Sequence, residues 1–312
     1  MLKYLVVLLG EQATSFCSYD AKNNGGLMST DTLHNAIRFA MMENLNIQFV
    51  YPDQILPQTH VDMINSIDHI DIVSSTNQDS ELLEKAEVLV FNSFGDIDKT
   101  YLNQSKDVII RTTIADFISN VQVVSDLLKS CKHVSVVFKD VENFDNNEEY
   151  AVALDEITNQ VASLIIKGGE PQINLVTDRI YLDKMNNCNA GDESITIAAD
   201  GNFYICPGFV GSENVGSLSN GVNIPNKQLL QLDHAPICRN CDAFQCRRCI
   251  WHNMRSTHEV SVPSKQQCVM AHIERNAARK LLGILSEHGS FMPEKEIKKL
   301  SYLDPFEELN EW

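Results

Sequence analysis

The chain has 312 residues, is 44% hydrophobic and carries a formal net charge of −17 at pH 7. That length and apolar content suffice for one large core or two modest ones. The acidity excludes a general nucleic-acid binder, whose surface must neutralise phosphate, and no apolar run approaches the roughly 20 residues that span a bilayer. The charge is uneven: from Asp233 to Lys280 eight Lys or Arg stand against four acids.

In chain order, the opening Tyr4–Leu9 reads as a buried strand, too short to be a secretory signal with its cleavage site. Further β-rich runs predict strands at Ile47–Tyr51, Ile70–Val73, Val88–Phe91, Val108–Ile110, Val134–Phe138 and Ile173–Val176. Helical spacing separates them. Ser29 or Thr30 caps a helix through Leu33, Ile37, Ala40 and Met41. Asp116–Leu128 carries Phe117, Val121, Val124 and Leu127 on one face, and Tyr150–Ile166 carries Leu154, Ile157 and Val161. Gly168-Gly169 ends that helix ahead of the last strand, and Asn23-Asn24-Gly25-Gly26 is turn chemistry without a ligand.

Strands apolar on both faces, alternating with helices, predict an α/β fold with a parallel sheet covered by helices. About six such units predict a partial (β/α)6 barrel of the TIM type, an open doubly wound sheet being the competing topology. No dinucleotide fingerprint or phosphate loop accompanies the strands. Beyond them, Ser194–Ile197 alternates, Asp200-Gly201 turns and Phe203–Ile205 returns, which predicts a hairpin bringing Cys188 and Cys206 to one end. A short strand follows around Val215–Leu218, and Met270–Leu282 has helical spacing.

Seven of the nine cysteines lie between Cys188 and Cys268. They read Cys188-x12-Gly201-x4-Cys206, then Cys238-x2-Cys241-x4-Cys246-x2-Cys249, then Cys268. Disulfides need an oxidising compartment, and nothing in the sequence points to export, so the expected setting is cytoplasmic with reduced thiols. Thiolates are soft ligands for iron or zinc, and paired Cys-x-x-Cys units can offer several sulfurs to one centre.

This order of cysteines, with the hairpin Gly201-Asn202-Phe203-Tyr204-Ile205-Cys206-Pro207 and the following Val215-Gly216-Ser217-Leu218, resembles the SPASM domain. That domain is the auxiliary iron–sulfur module of many peptide-modifying radical S-adenosylmethionine enzymes. The last two gaps of the central quartet are each one residue shorter here than is usual. The resemblance implies three segments: a barrel over 1–179, a SPASM-like domain over 180–285 and a tail over 286–312. It also implies two [4Fe–4S] clusters. Cys238, Cys241, Cys246 and Cys268 would hold one, and Cys188, Cys206 and Cys249 the other. Family members with a complete set carry a further cysteine just before the position of Cys188, and Tyr181–Asn187 has none. An open iron site, a non-cysteine ligand or a different metal then remain as readings, zinc being the alternative metal.

A radical S-adenosylmethionine enzyme needs Cys-x3-Cys-x2-Cys after its first strand, where this chain has Cys17 alone. After the second strand it has Tyr51-Pro52-Asp53-Gln54 in place of the Gly-Gly-Glu-Pro-like segment that holds the cofactor's amino group. The resemblance is therefore to a degenerate barrel without S-adenosylmethionine. Together with Phe16-Cys17-Ser18-Tyr19 and Asn46–Asp53, it extends to the CXXX repeat peptide maturases. These are thought to work beside a true radical enzyme on a ribosomal precursor peptide. The implied partners are that peptide and that enzyme, the implied role a scaffold or electron relay. The alternatives are an enzyme using an open auxiliary cluster and a zinc-stabilised peptide-binding protein.

Weaker candidates remain. Cys17 reads as a packed small residue, Cys131 as structural, and Asp53 as a solvated loop acid. His252, His234 and His258 compete as the missing ligand, with His252 read as a surface or second-shell residue. The face carrying Arg247, Arg248 and Arg255 is the candidate docking surface.

Overall fold

The computed structural model describes residues 1–10, 12–20, 26–185, 188–289 and 297. The turn at Asn23–Gly25, Asn186-Asn187 and most of the tail from 286 lie outside them. In chain order come β1 (Tyr4–Leu8), α1 (Thr30–Glu43), β2 (Asn46–Val50), α2 (Gln58–Ile64), β3 (His69–Ser74), α3 (Ser80–Lys85) and β4 (Val88–Phe91). Then follow β5 (Asp107–Thr112), α4 (Ile114–Ser119), α5 (Val121–Leu127), β6 (His133–Phe138), α6 (Asn147–Ile166) and α7 (Asp178–Tyr181). The chain continues with β7 (Ser194–Ile197), β8 (Phe203–Tyr204), β9 (Gly216–Ser217), β10 (Gly221–Val222), α8 (Ile250–Thr257) and α9 (Lys265–Glu287). No described helix is long and apolar enough to cross a membrane.

These elements form two compact units, the first from 1–101 with 188–231, the second from the described residues of 102–187 and 232–312. In the first unit the strand order is β4-β3-β2-β1-β7-β8. All neighbours are parallel except the β7–β8 hairpin. β1 to β4 follow chain order without the reversal that marks a doubly wound sheet. Among the described residues no strand pairing closes a barrel. Leu5 pairs with Ile47 on one side and Ile195 on the other, and all three are buried. The hairpin, expected only as a cysteine carrier, thus also extends the parallel sheet. Its turn is built by Gly201 at φ +77 and by Asp200, which accepts hydrogen bonds from the Asn202 N–H at 2.9 Å and the Tyr204 hydroxyl at 2.7 Å. Ser29 caps α1 by accepting from the Thr32 N–H at 3.1 Å.

In the second unit β5 and β6 pair in parallel, with Asp107 opposite His133. Two expectations are corrected here. Ile173–Val176 is not a strand: Ile173 makes a single bridge to Val134, and the Asn174 side chain takes over the strand's role. Asn174 Oδ1 accepts the Val136 N–H at 2.8 Å and its Nδ2 donates to the Val136 carbonyl at 2.9 Å. Thr177 Oγ1 accepts the Ile173 N–H at 2.7 Å, which turns the chain into α7. The helix expected over Asp116–Leu128 is broken at Asn120, whose φ of −123 is not helical. Its side chain donates to the Asp116 carbonyl, and Ser119 to that of Ala115, local bonds that compete with the helical ladder.

One buried polar group in the first unit sets a pH dependence. Asp71 accepts from the Tyr51 hydroxyl at 2.8 Å and pairs with His69 Nε2 at 3.3 Å. The hydrogen bond to Asp71 raises the His69 pKa above its ordinary value, against an opposing effect of burial. A raised histidine contributes stability that is fully present below about pH 6.5 and is lost as pH rises through the folded-state value. Thermal melting across that range should show a declining midpoint, and His69→Gln should flatten the slope.

Candidate metal centre

Between Leu232 and Cys249 the described chain contains no α-helix or strand. Its backbone therefore lacks the repetitive ladders that hold the rest of the fold. Cys238, Met185 and Ala235 form a small buried cluster, against which Leu232, Cys241, Phe244 and Cys246 pack. The structure thus brings Cys238, Cys241 and Cys246 together. Two backbone N–H groups point at sulfur with the same spacing: Ala243 donates to Cys241 Sγ at 3.4 Å, and Arg248 donates to Cys246. Arg248 takes a positive φ of 42, a conformation uncommon outside glycine, to make that turn.

α9 holds this segment from one side. Ser264 caps the helix, accepting from the Gln267 N–H at 3.2 Å. Gln267 Nε2 then lies 4.0 Å from Cys246 Sγ, and His272 Nε2 lies 3.7 Å from Cys241 Sγ. Gln245 donates to the Ala271 carbonyl at 2.7 Å and to Glu274 at 3.3 Å. Arg275 Nη1 donates to Asp242 Oδ1 at 3.3 Å, while Arg179 meets Asp242 Oδ2 at 3.5 Å and stacks 4.1 Å over the Phe244 ring. From α6, the Tyr150 hydroxyl donates to Glu274 Oε1 at 2.9 Å.

Burial dominates the electrostatics of this corner. Burial pushes Cys241 up to about 12 and raises Cys246 well above the ordinary thiol range. Burial also raises Glu274 to about 7 and lowers Arg179, the latter against the pull of Asp242. Arg179, Arg248 and Arg275 are all more than nine-tenths buried, whereas Asp242 and Glu274 are the carboxylates bonded within this corner. Buried cations require compensating negative charge. Thiolates would add negative charge beside them, and the soft sulfurs of Cys238, Cys241 and Cys246 are of the donor type that iron or zinc takes. Among the described residues no three Cys, His, Asp or Glu side chains stand in metal-coordinating geometry.

The other predicted ligands lie on neighbouring segments of the chain. Cys268 is half-buried in the first turn of α9, and half-buried Cys249 precedes α8. Cys188 and Cys206 belong to the first unit. Continuing the Thr196–Tyr204 register places Cys206 opposite Ser194, whose hydroxyl donates to the Cys188 carbonyl at 3.0 Å. Cys131 is buried, and desolvation raises its thiol to about 11, as befits a packed residue. Asp53 is exposed. His252 is not a surface residue: it is 5% exposed, with Nδ1 3.4 Å from Glu142. Nor can Arg248 serve a docking face, because it is 1% exposed. Arg255 is exposed and lies over Trp251 at 4.8 Å. Sequence reasoning missed His272, Glu274 and Arg275. The available signal was their spacing on α9, His272 being four residues beyond Cys268.

No family model matches the chain, and no curated protein matches it. Among solved structures it is similar to anSMEcpe with bound AdoMet, at a TM-score of 0.61 and 12% identity over 91% of this chain and 98% of that one. Native anSMEcpe with bound AdoMet and the Kp18Cys peptide matches at 0.59 and 11% identity, over 91% of this chain and 99% of that one. At such identity the likeness is one of fold.

The link from α6 to the cysteine segment is testable without metal. Tyr150→Phe leaves Glu274 Oε1 without its donor in a buried site, which costs about 1–3 kcal/mol. Urea denaturation should show that loss with an unchanged m-value.

Proposed function

We propose that this protein acts in maturing a ribosomally made, cysteine-containing precursor peptide. Its role is that of an iron–sulfur partner or scaffold for a radical S-adenosylmethionine enzyme, and it does not itself cleave S-adenosylmethionine. One observation carries the reading: Cys238, Cys241 and Cys246 pack together beside buried guanidinium groups. A thiolate-bound [4Fe–4S] cluster, when present, supplies one-electron transfer. Cys238, Cys241, Cys246 and Cys268 would hold that cluster, within a SPASM-like region over residues 180–285. α9 fixes the cysteine segment through Gln267, His272 and Arg275, and the Ala243 and Arg248 N–H groups orient the two sulfurs.

The peptide role is supported by fold likeness to anSMEcpe, a structure of which contains the Kp18Cys peptide. That neighbour also holds AdoMet. In this chain the loop after β1 offers one thiol, Cys17. The same loop is tied back onto the fold: Ala13 bridges Pro52, and the Thr14 N–H donates to the Tyr51 carbonyl at 2.9 Å. Phe16 and Tyr19 pack edge to face with ring centroids 5.8 Å apart. A single thiol is too few to hold a cluster of the kind that cleaves S-adenosylmethionine, which is the ground for the partner role.

Anaerobic reconstitution with iron and sulfide tests the metal. The wild type should retain a firmly held cluster, and Cys241→Ala should lose it and destabilise the second unit, because metal binding and folding are linked. Zinc at one or more equivalents with no iron would replace the redox role by a zinc-stabilised one. Incubation with dithionite and S-adenosylmethionine should yield no 5′-deoxyadenosine, and its formation would refute the partner role.

A further inference from the structure

α9 carries a histidine to a cysteine that the ligand set already assigns. Cys268 and His272 are four residues apart, so they share one face of the helix. His272 is 2% exposed, and its Nε2 lies 3.7 Å from Cys241 Sγ. One turn further on, Arg275 donates to Asp242, the residue after Cys241, at 3.3 Å. The helix therefore grips two successive residues, one by its sulfur and the next by its carboxylate. The backbone N–H of Ala243 also donates to that sulfur at 3.4 Å, and side-chain replacement leaves this bond in place. Of these two contacts, that of His272 is the one sequence can vary.

We propose that His272 is a positioning residue that donates its Nε2–H to the Cys241 thiolate and thereby raises the reduction potential of the bound cluster. The inference rests on the iron–sulfur reading above. An N–H donor withdraws charge from the sulfur and stabilises the more negative, reduced cluster. Reduction adds one electron from an external reductant, forms and breaks no covalent bond, and leaves the proton on the imidazole. Burial strengthens the effect, because little water is present to screen the added charge.

Redox titration with dithionite, monitored by electron paramagnetic resonance, tests the proposal on the intact, reconstituted chain. The relevant signal is the one that disappears in Cys241→Ala. His272→Phe and His272→Leu remove the N–H with different packing, and His272→Gln restores a donor. Both apolar variants should keep wild-type iron and sulfide per chain. Each should lower the one-electron reduction constant by up to about tenfold, a shift of about 59 mV, and His272→Gln should recover much of it. An unmoved potential at full iron content in whichever apolar variant folds would overturn the proposal, leaving His272 as packing alone. Loss of iron from a folded apolar variant would also overturn it, by making His272 a ligand. A wild type that takes up no iron would defeat the metal reading and this inference together, an outcome distinct from the other two.

Discussion

Buried positive charge around the cysteine segment is the constraint on which the second unit is organised. Arg179, Arg248 and Arg275 are removed from water, and charge in that setting needs a partner at close range. Asp242 serves two of them. The segment itself has no regular backbone ladder, so its shape depends on side chains arriving from α9. Burial also acts on the sulfurs themselves, raising the Cys241 thiol to about 12.

The strands of the first half were legible because each is a short apolar run with β-rich composition, and β1 to β6 fall where the pattern places them. The errors came where a polar side chain replaces backbone. Asn174 imitates a peptide unit against Val136, so an apolar run that reads as a strand becomes a turn. Asn120 and Ser119 satisfy helical carbonyls with their side chains and split a helix whose apolar face reads as continuous. The parallel docking of β7 against β1 is a long-range pairing between segments about 190 residues apart. Local periodicity carries no information about such a partner.

At the candidate site, spacing singled out Cys238, Cys241 and Cys246, which the fold packs together. Their supports were not. His272, Glu274 and Arg275 sit within a helix whose apolar residues satisfy the 3.6-residue period, and polar residues in such a helix read as a solvated face. Here they are buried at 2%, 8% and 1% exposure. Arg248 misled in the same way, since a run of arginines reads as surface until the fold turns one of them inward.

Stability does not explain why so many charges are buried on α9 and its neighbours. Replacing a buried ion pair with apolar groups of similar volume is often neutral or stabilising, and a helix with plain hydrophobic residues at 272, 274 and 275 would dock on α6 as well. Apolar residues, however, could not bond Asp242, Gln245 and Tyr150 at 3.3, 3.3 and 2.9 Å. Those bonds fix the residues between and beside the cysteines, and hence the directions in which the sulfurs point. The polar interior of the second unit is thus a geometric device. It gives up part of the hydrophobic gain so that an irregular loop has one shape, which a hydrophobic core alone does not provide.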